Sequence, residues 1–132
     1  MRLACHLLGI RDPDQLRHHP LRGAIFESWV ASEAYEARAH RGLEPALFHY
    51  RDARRLEVDL LLSARDATLL VEAKSAQTVA PDFFASLDRV GELLAGRGQP
   101  SRRFVVYGGA TGQGRSDGRV VPWSQIASLP WA

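Results

Sequence analysis

Cysteine is nearly absent from this chain: Cys5 stands alone among 132 residues. An internal disulfide and a multi-cysteine zinc site are therefore excluded, and a reducing compartment is expected. Long apolar runs are missing as well, every uninterrupted hydrophobic stretch being far too short to span a bilayer. The first residues also lack the apolar core and small-residue cleavage site of a secretory leader. These absences predict a cytoplasmic protein with no membrane partner. Charge of one sign is scarce too. Seventeen basic and fifteen acidic side chains leave a formal net charge of +2, so bulk charge marks no nucleic-acid binder. Lysine is scarcer still. Lys74 is the only one, against sixteen arginines. The two residues are not equivalent: lysine carries a compact charge whose pKa moves on burial, while arginine is a planar fork that stays protonated.

What is present reads as one globular domain over residues 1–132, with 45% hydrophobic and 24% charged side chains. Residues 1–10 suit either a short strand or a helix. Asp12-Pro13-Asp14-Gln15 has the cap, first-turn proline and capping-box partner of a helix start, and Pro20 stops that helix. A longer helix is predicted over 21–41, because Leu21, Ile25, Phe26, Trp29 and Val30 fall at helical spacing and Gly42 can end it. Strands are predicted at Ala46–Tyr50, Glu57–Leu62 and Thr68–Lys74, the last two joined by a hairpin loop over 63–67. A helix over 82–95, a strand over Phe104–Tyr107, a Gly-rich loop over 108–118 and a strand over Arg119–Trp123 complete the pass. The expected fold class is α/β, a central mixed sheet flanked by helices.

The chemistry concentrates around Lys74. In a strand, residues two apart share a face, so Glu72 and Lys74 point the same way. If the hairpin turns at Arg65-Asp66, Asp59 lies opposite Glu72 and Glu57 lies opposite Lys74, which gathers the acids and the lysine on one face. Glu27 sits on the long helix among small and apolar neighbours and is a further candidate. Three carboxylates around one ammonium remain under-compensated, and two like charges at about 4 Å repel by roughly 4 kcal/mol at an effective dielectric near 20. A bound divalent ion resolves that conflict, and an all-oxygen ligand set favours Mg²⁺ or Mn²⁺ over zinc. Glu57 reads as a solvated strand-end residue, His18-His19 as a surface pair before Pro20, and Trp123 and Trp131 as packing residues. Gly109 to Ser116 nearly matches a phosphate-binding loop, but Arg115 stands where lysine is needed and no helix follows, so a hairpin loop is expected.

Asp59 followed by Glu72-x-Lys74, with an acid on the preceding helix, resembles the active-site signature of the PD-(D/E)XK nuclease superfamily. The order helix, three strands, helix, strand is also similar to that family's restriction-endonuclease-like αβββαβ core. The strings Leu21 to Glu33, His49 to Leu62 and Leu69 to Ser75 resemble the C-terminal domain of unknown function that follows a prokaryotic AAA+ ATPase domain, a likeness running from about residue 7 to 126. The ATPase domain itself is not among these 132 residues. The nuclease resemblance implies a metal held by Asp59, Glu72 and Glu27, with Lys74, Glu72 and Asp59 catalytic and Lys74 positioning or activating the attacking water. It implies hydrolysis of DNA with Mg²⁺ (or Mn²⁺), or else a non-catalytic module for DNA binding or for contacts with an ATPase partner. A homodimer is compatible with either.

Overall fold

The computed structural model describes residues 2–116 and 118–131, with side chains from Cys5 onward. Asp117, expected within the Gly-rich loop, lies outside the described residues. The opening segment is helical, α1 (Arg2–Leu7), and α2 (Pro13–His18) follows. Asp12 caps α2 by accepting from the Gln15 backbone N–H at 2.8 Å. Gln15 answers by accepting from the Arg11 N–H at 2.6 Å, one residue before the cap. Both bonds satisfy donors that a helix start leaves without intrahelical partners.

Helix α3 (Arg22–His40) buries one stripe: Ile25, Phe26, Val30, Ala34 and Arg38. Its end is a Schellman motif, with the Gly42 N–H donating to Ala39 O at 3.0 Å and the Leu43 N–H to Arg38 O at 3.0 Å. Gly42 takes φ +70° there, a conformation glycine adopts without a Cβ penalty. Strands β1 (Leu47–Arg51) and β2 (Glu57–Ser63) form a hairpin. Asp52 organises its turn, Oδ1 accepting from the N–H groups of Arg54 at 2.9 Å and Leu56 at 3.0 Å. A second hairpin leads into β3 (Thr68–Lys74). Then come α4 (Ala85–Ala95), β4 (Ser101–Tyr107), β5 (Gln113–Arg115) and β6 (Gly118–Pro122).

The six strands make one mixed sheet in the order β1-β2-β3-β4-β6-β5. β3, β4 and β6 run parallel, while both hairpin pairs at the β1 edge and the β5–β6 pair are antiparallel. Helix α3, with Ile126, Leu129 and Trp131, covers one face; Phe83, Phe84 and α4 cover the other. Leu69, Leu70, Val71, Val105 and Val106 are fully buried, which is why the central strands read as continuous apolar runs without alternation. Several boundaries differ from the sequence expectation, among them the start of β4 at Ser101, where Phe104 was expected. Helix α4 starts at Ala85, after a turn in which Phe83 and Phe84 already pack inward. The last strand ends at Pro122, and Trp123–Ser128 winds into a 3₁₀ helix because its Ile126 must turn back onto the core. The Gly-rich segment folds as the β5–β6 hairpin, with no phosphate-cradling helix behind it. Among the described residues, no helix is long and apolar enough to cross a membrane.

Candidate active site

The site lies where β2 and β3 part. Their ladder runs from Ser63↔Thr68 to Leu60↔Val71, the register that the Arg65-Asp66 turn implies. One step further, side chains take over from backbone pairing. The Asp59 N–H donates to Glu72 Oε1 at 3.1 Å, and the Ala73 N–H donates to Asp59 Oδ2 at 2.8 Å. Carboxylates thus satisfy two backbone donors at the point where the strands separate.

The expected one-face cluster is only partly what forms. Pairing of β1 with β2 shifts between Phe48 and Tyr50. Across that bulge Leu60 packs in the core under α3, whereas Val58 packs in the core under α4. The extra residue is Asp59, and it turns toward α3, where it lines a pocket of about 140 Å³ with Glu27, Leu60, Val71 and Ala73. Glu72 and Lys74 continue the alternation of Leu70 and lie on the α4 side, where Lys74 Nζ sits 5.9 Å from the Phe83 ring. Lys74 Nζ is 3.4 Å from Glu72 Oε2, the lysine side chain being 41% exposed and the glutamate 7%. Two pairs, Glu27 with Asp59 and Glu72 with Lys74, therefore approach the strand gap from opposite sides.

Their electrostatics follow from burial. Desolvation pushes the Glu72 carboxyl up to about 7, and the Asp59 charge adds to the rise, against the pull of Lys74 and of the Asp59 N–H. Asp59 is raised by burial, opposed first by the Ala73 N–H and then by Lys74. Glu27 is raised by burial and next by the charge of Asp59.

The donor set is all oxygen, anionic and partly desolvated, which suits a hard divalent cation. Among the described residues, however, no group of three or more His, Cys, Asp or Glu side chains is arranged to hold a metal ion. The two-sided approach and the bonds of Asp59 and Glu72 to backbone N–H groups account for that spacing.

Other residues complete the neighbourhood. His49, unassigned from sequence, places Nε2 3.0 Å from Glu57 Oε1, so Glu57 has a partner beside Glu27. Arg22 donates from Nε to Ser75 Oγ at 3.1 Å, one residue past Lys74. A cleft of about 740 Å³ opens there, lined by Arg17, His18, Arg22, Phe26, Ser75 and Trp123. Trp123 is half exposed and meets Trp29 edge-on at 6.2 Å, while Trp131 is buried as a packing residue. The strings that hold Arg22 and His49 were visible in sequence, but their roles depend on which face each strand presents.

A family model described as a domain of unknown function (DUF4143) matches residues 22–126. No curated protein and no solved structure matches the chain.

Proposed function

Since this chain belongs to the DUF4143 family, a domain of unknown function, we propose from the site itself a divalent-cation-dependent, nuclease-like domain of the PD-(D/E)XK type. It hydrolyses phosphodiester bonds in DNA. The observation that carries this reading is the meeting of Asp59, Glu72 and Lys74 at the β2–β3 gap, with Glu72 raised to about 7. A buried carboxyl beside a lone ammonium is costly as a purely structural device, and perturbed groups of this kind concentrate at functional sites.

Asp59 and Glu72, with Glu27 beside Asp59, would hold Mg²⁺ or Mn²⁺. Such an ion, when bound, lowers the pKa of a water and offsets charge on the phosphate. Lys74 is partly exposed and within reach of Glu72, so its ammonium can orient the attacking water or meet charge developing on the phosphoryl oxygens. Arg22, His18 and Arg17 line the adjacent cleft and supply donors for the flanking phosphates. A second reading is favoured by one observation, the lack of a three-ligand group among the described residues. On that reading the domain keeps the fold to bind DNA, or to contact an AAA+ ATPase partner, without cutting.

A cleavage assay on linear, nicked and branched DNA with Mn²⁺ tests the first reading. Lys74→Met and Lys74→Arg should each lower cutting by about 10²-fold or more, because neither supplies a compact, movable ammonium. Cutting that survives Lys74→Met at full rate would overturn it. DNA retention without any cutting selects the second reading.

A further inference from the structure

The cleft beside the carboxylate gap has more apolar wall than contacts to flanking phosphates need. It opens past the C-terminal ends of the parallel strands, and its lining includes Ser75, Gly108 and Trp123, the residues that follow β3, β4 and β6. In open α/β sheets, ligands settle outside the carboxyl ends of the strands. At about 740 Å³ it has the size of a small-ligand site, and Leu16 from α2 with Ile25 and Phe26 from α3 make part of it apolar. Trp123 lines the same cleft and is 49% exposed. Trp29 meets it at 64°, so no ring is stacked on Trp123 among the described residues.

The charge around this cleft has one sign, since none of its described lining residues is acidic. Arg17 is exposed and lies 3.6 Å from Asp14, a pair that water screens. Arg22 is different. It is half-buried, and its guanidinium donates from Nε to Ser75 Oγ at 3.1 Å and from Nη1 to Arg17 O at 2.9 Å. Both acceptors are neutral oxygens. The fork is thus fixed in place while its charge meets no carboxylate among the described residues. Nη2 takes no part in either bond. A guanidinium already oriented, with a donor left over, suits a phosphate oxygen and has little freedom to lose on binding it.

We propose that this cleft holds one unpaired base of a DNA strand, stacked against Trp123, with the adjoining phosphate on Arg22. The proposal rests on the reading that the site engages DNA, and it names the substrate class: DNA with a single-stranded end, gap or flap. A sugar–phosphate backbone has no use for apolar walls, and a base inside a duplex has both faces covered by its neighbours. Only an unstacked base presents an apolar face and a phosphate together. Stacking on an indole tolerates any sequence, because every base has a π-face. The cleft opens one residue past Lys74, so a strand anchored in it lies beside the carboxylate gap.

The test uses the full chain without metal, so that binding is read apart from cutting. Labelled probes of equal length are titrated by fluorescence anisotropy at graded salt: oligothymidine, the same strand made abasic throughout, and a blunt duplex. Oligothymidine should bind about tenfold or more tighter than the abasic strand. Trp123→Ala should remove most of that preference while leaving the abasic strand and the duplex unchanged. Trp123→Phe, which keeps a ring, should retain part of it. Melting curves check folding, since Trp123 also touches Trp29. Arg22→Gln should weaken both single strands alike and lower the salt slope by about 0.7, the share of one phosphate contact. Equal affinity for the two single strands, or a preference that survives Trp123→Ala in full, overturns the proposal and leaves the DNA reading in place. Saturable binding of no probe overturns both, and leaves the cleft to an apolar segment of a partner protein.

Discussion

At the scale of the residue, Glu72 is the side chain that ionisation costs most. Its carboxyl titrates near 7 in the folded chain against 4.5 ordinarily, mainly because it is buried. The folded state thus binds the proton more tightly than the unfolded one. The stability this contributes is full below the unfolded value and is lost as pH rises through the folded one. The metal-free protein should therefore lose roughly 3 kcal/mol between about pH 5 and about pH 8 through this group. Thermal melts across that range, with the slope flattened in Glu72→Gln, check it; a melting temperature that climbs over the same interval would contradict the assignment. The candidate residues were legible in sequence because a lone lysine two residues from a glutamate needs no coordinates to notice. Their protonation was not, since it depends on how much water each carboxyl keeps.

At the scale of the element, the β2–β3 hairpin was legible down to its register. Turn length determines which residues face each other, and the ladder runs as the Arg65-Asp66 turn requires. The bulge at Asp59 was hidden, because it arises in the pairing of β2 with β1 and not within β2 itself. Helix caps were legible at Asp12 and Gly42, where one residue type meets a local backbone need. The strand end that carries Lys74 is held by Gly108, whose N–H donates to Lys74 O at 3.1 Å and Ala76 O at 2.9 Å. A Cβ at Gly108 would lie 2.6 Å from Ser75 O. Gly108→Ala should therefore shift that strand end and lower cutting by about tenfold, while leaving most of the thermal stability in place. Parallel activity and melting measurements separate the two effects, and unchanged activity would free the site from this contact.

At the scale of the whole molecule, Arg38 ties distant parts together. It is buried, and its guanidinium donates to Glu44 O at 2.9 Å, Ser63 O at 3.1 Å and Trp131 O at 2.9 Å. One side chain thus joins the loop after α3, the end of β2 and the segment that follows the 3₁₀ helix. Arg38→Met would keep the apolar stem but leave three carbonyls without this donor. It should lower unfolding free energy by about 3 kcal/mol, read as a reduced urea midpoint. Arg38→Lys should recover only part of it, because an ammonium cannot spread to three separated acceptors in one plane. An unchanged midpoint for Arg38→Met would mean the three segments are held by packing alone.

Sequence alone determined the layer arrangement, the order of the elements around Lys74 and the identity of the acids near it. Periodicity, turn chemistry and composition act over a few residues and are written in the chain. Only the tertiary structure decided which side of the sheet each acid takes and what His49 and Arg22 touch. Those outcomes depend on contacts between segments far apart in the chain, where a single extra residue in one strand reverses the direction of a side chain.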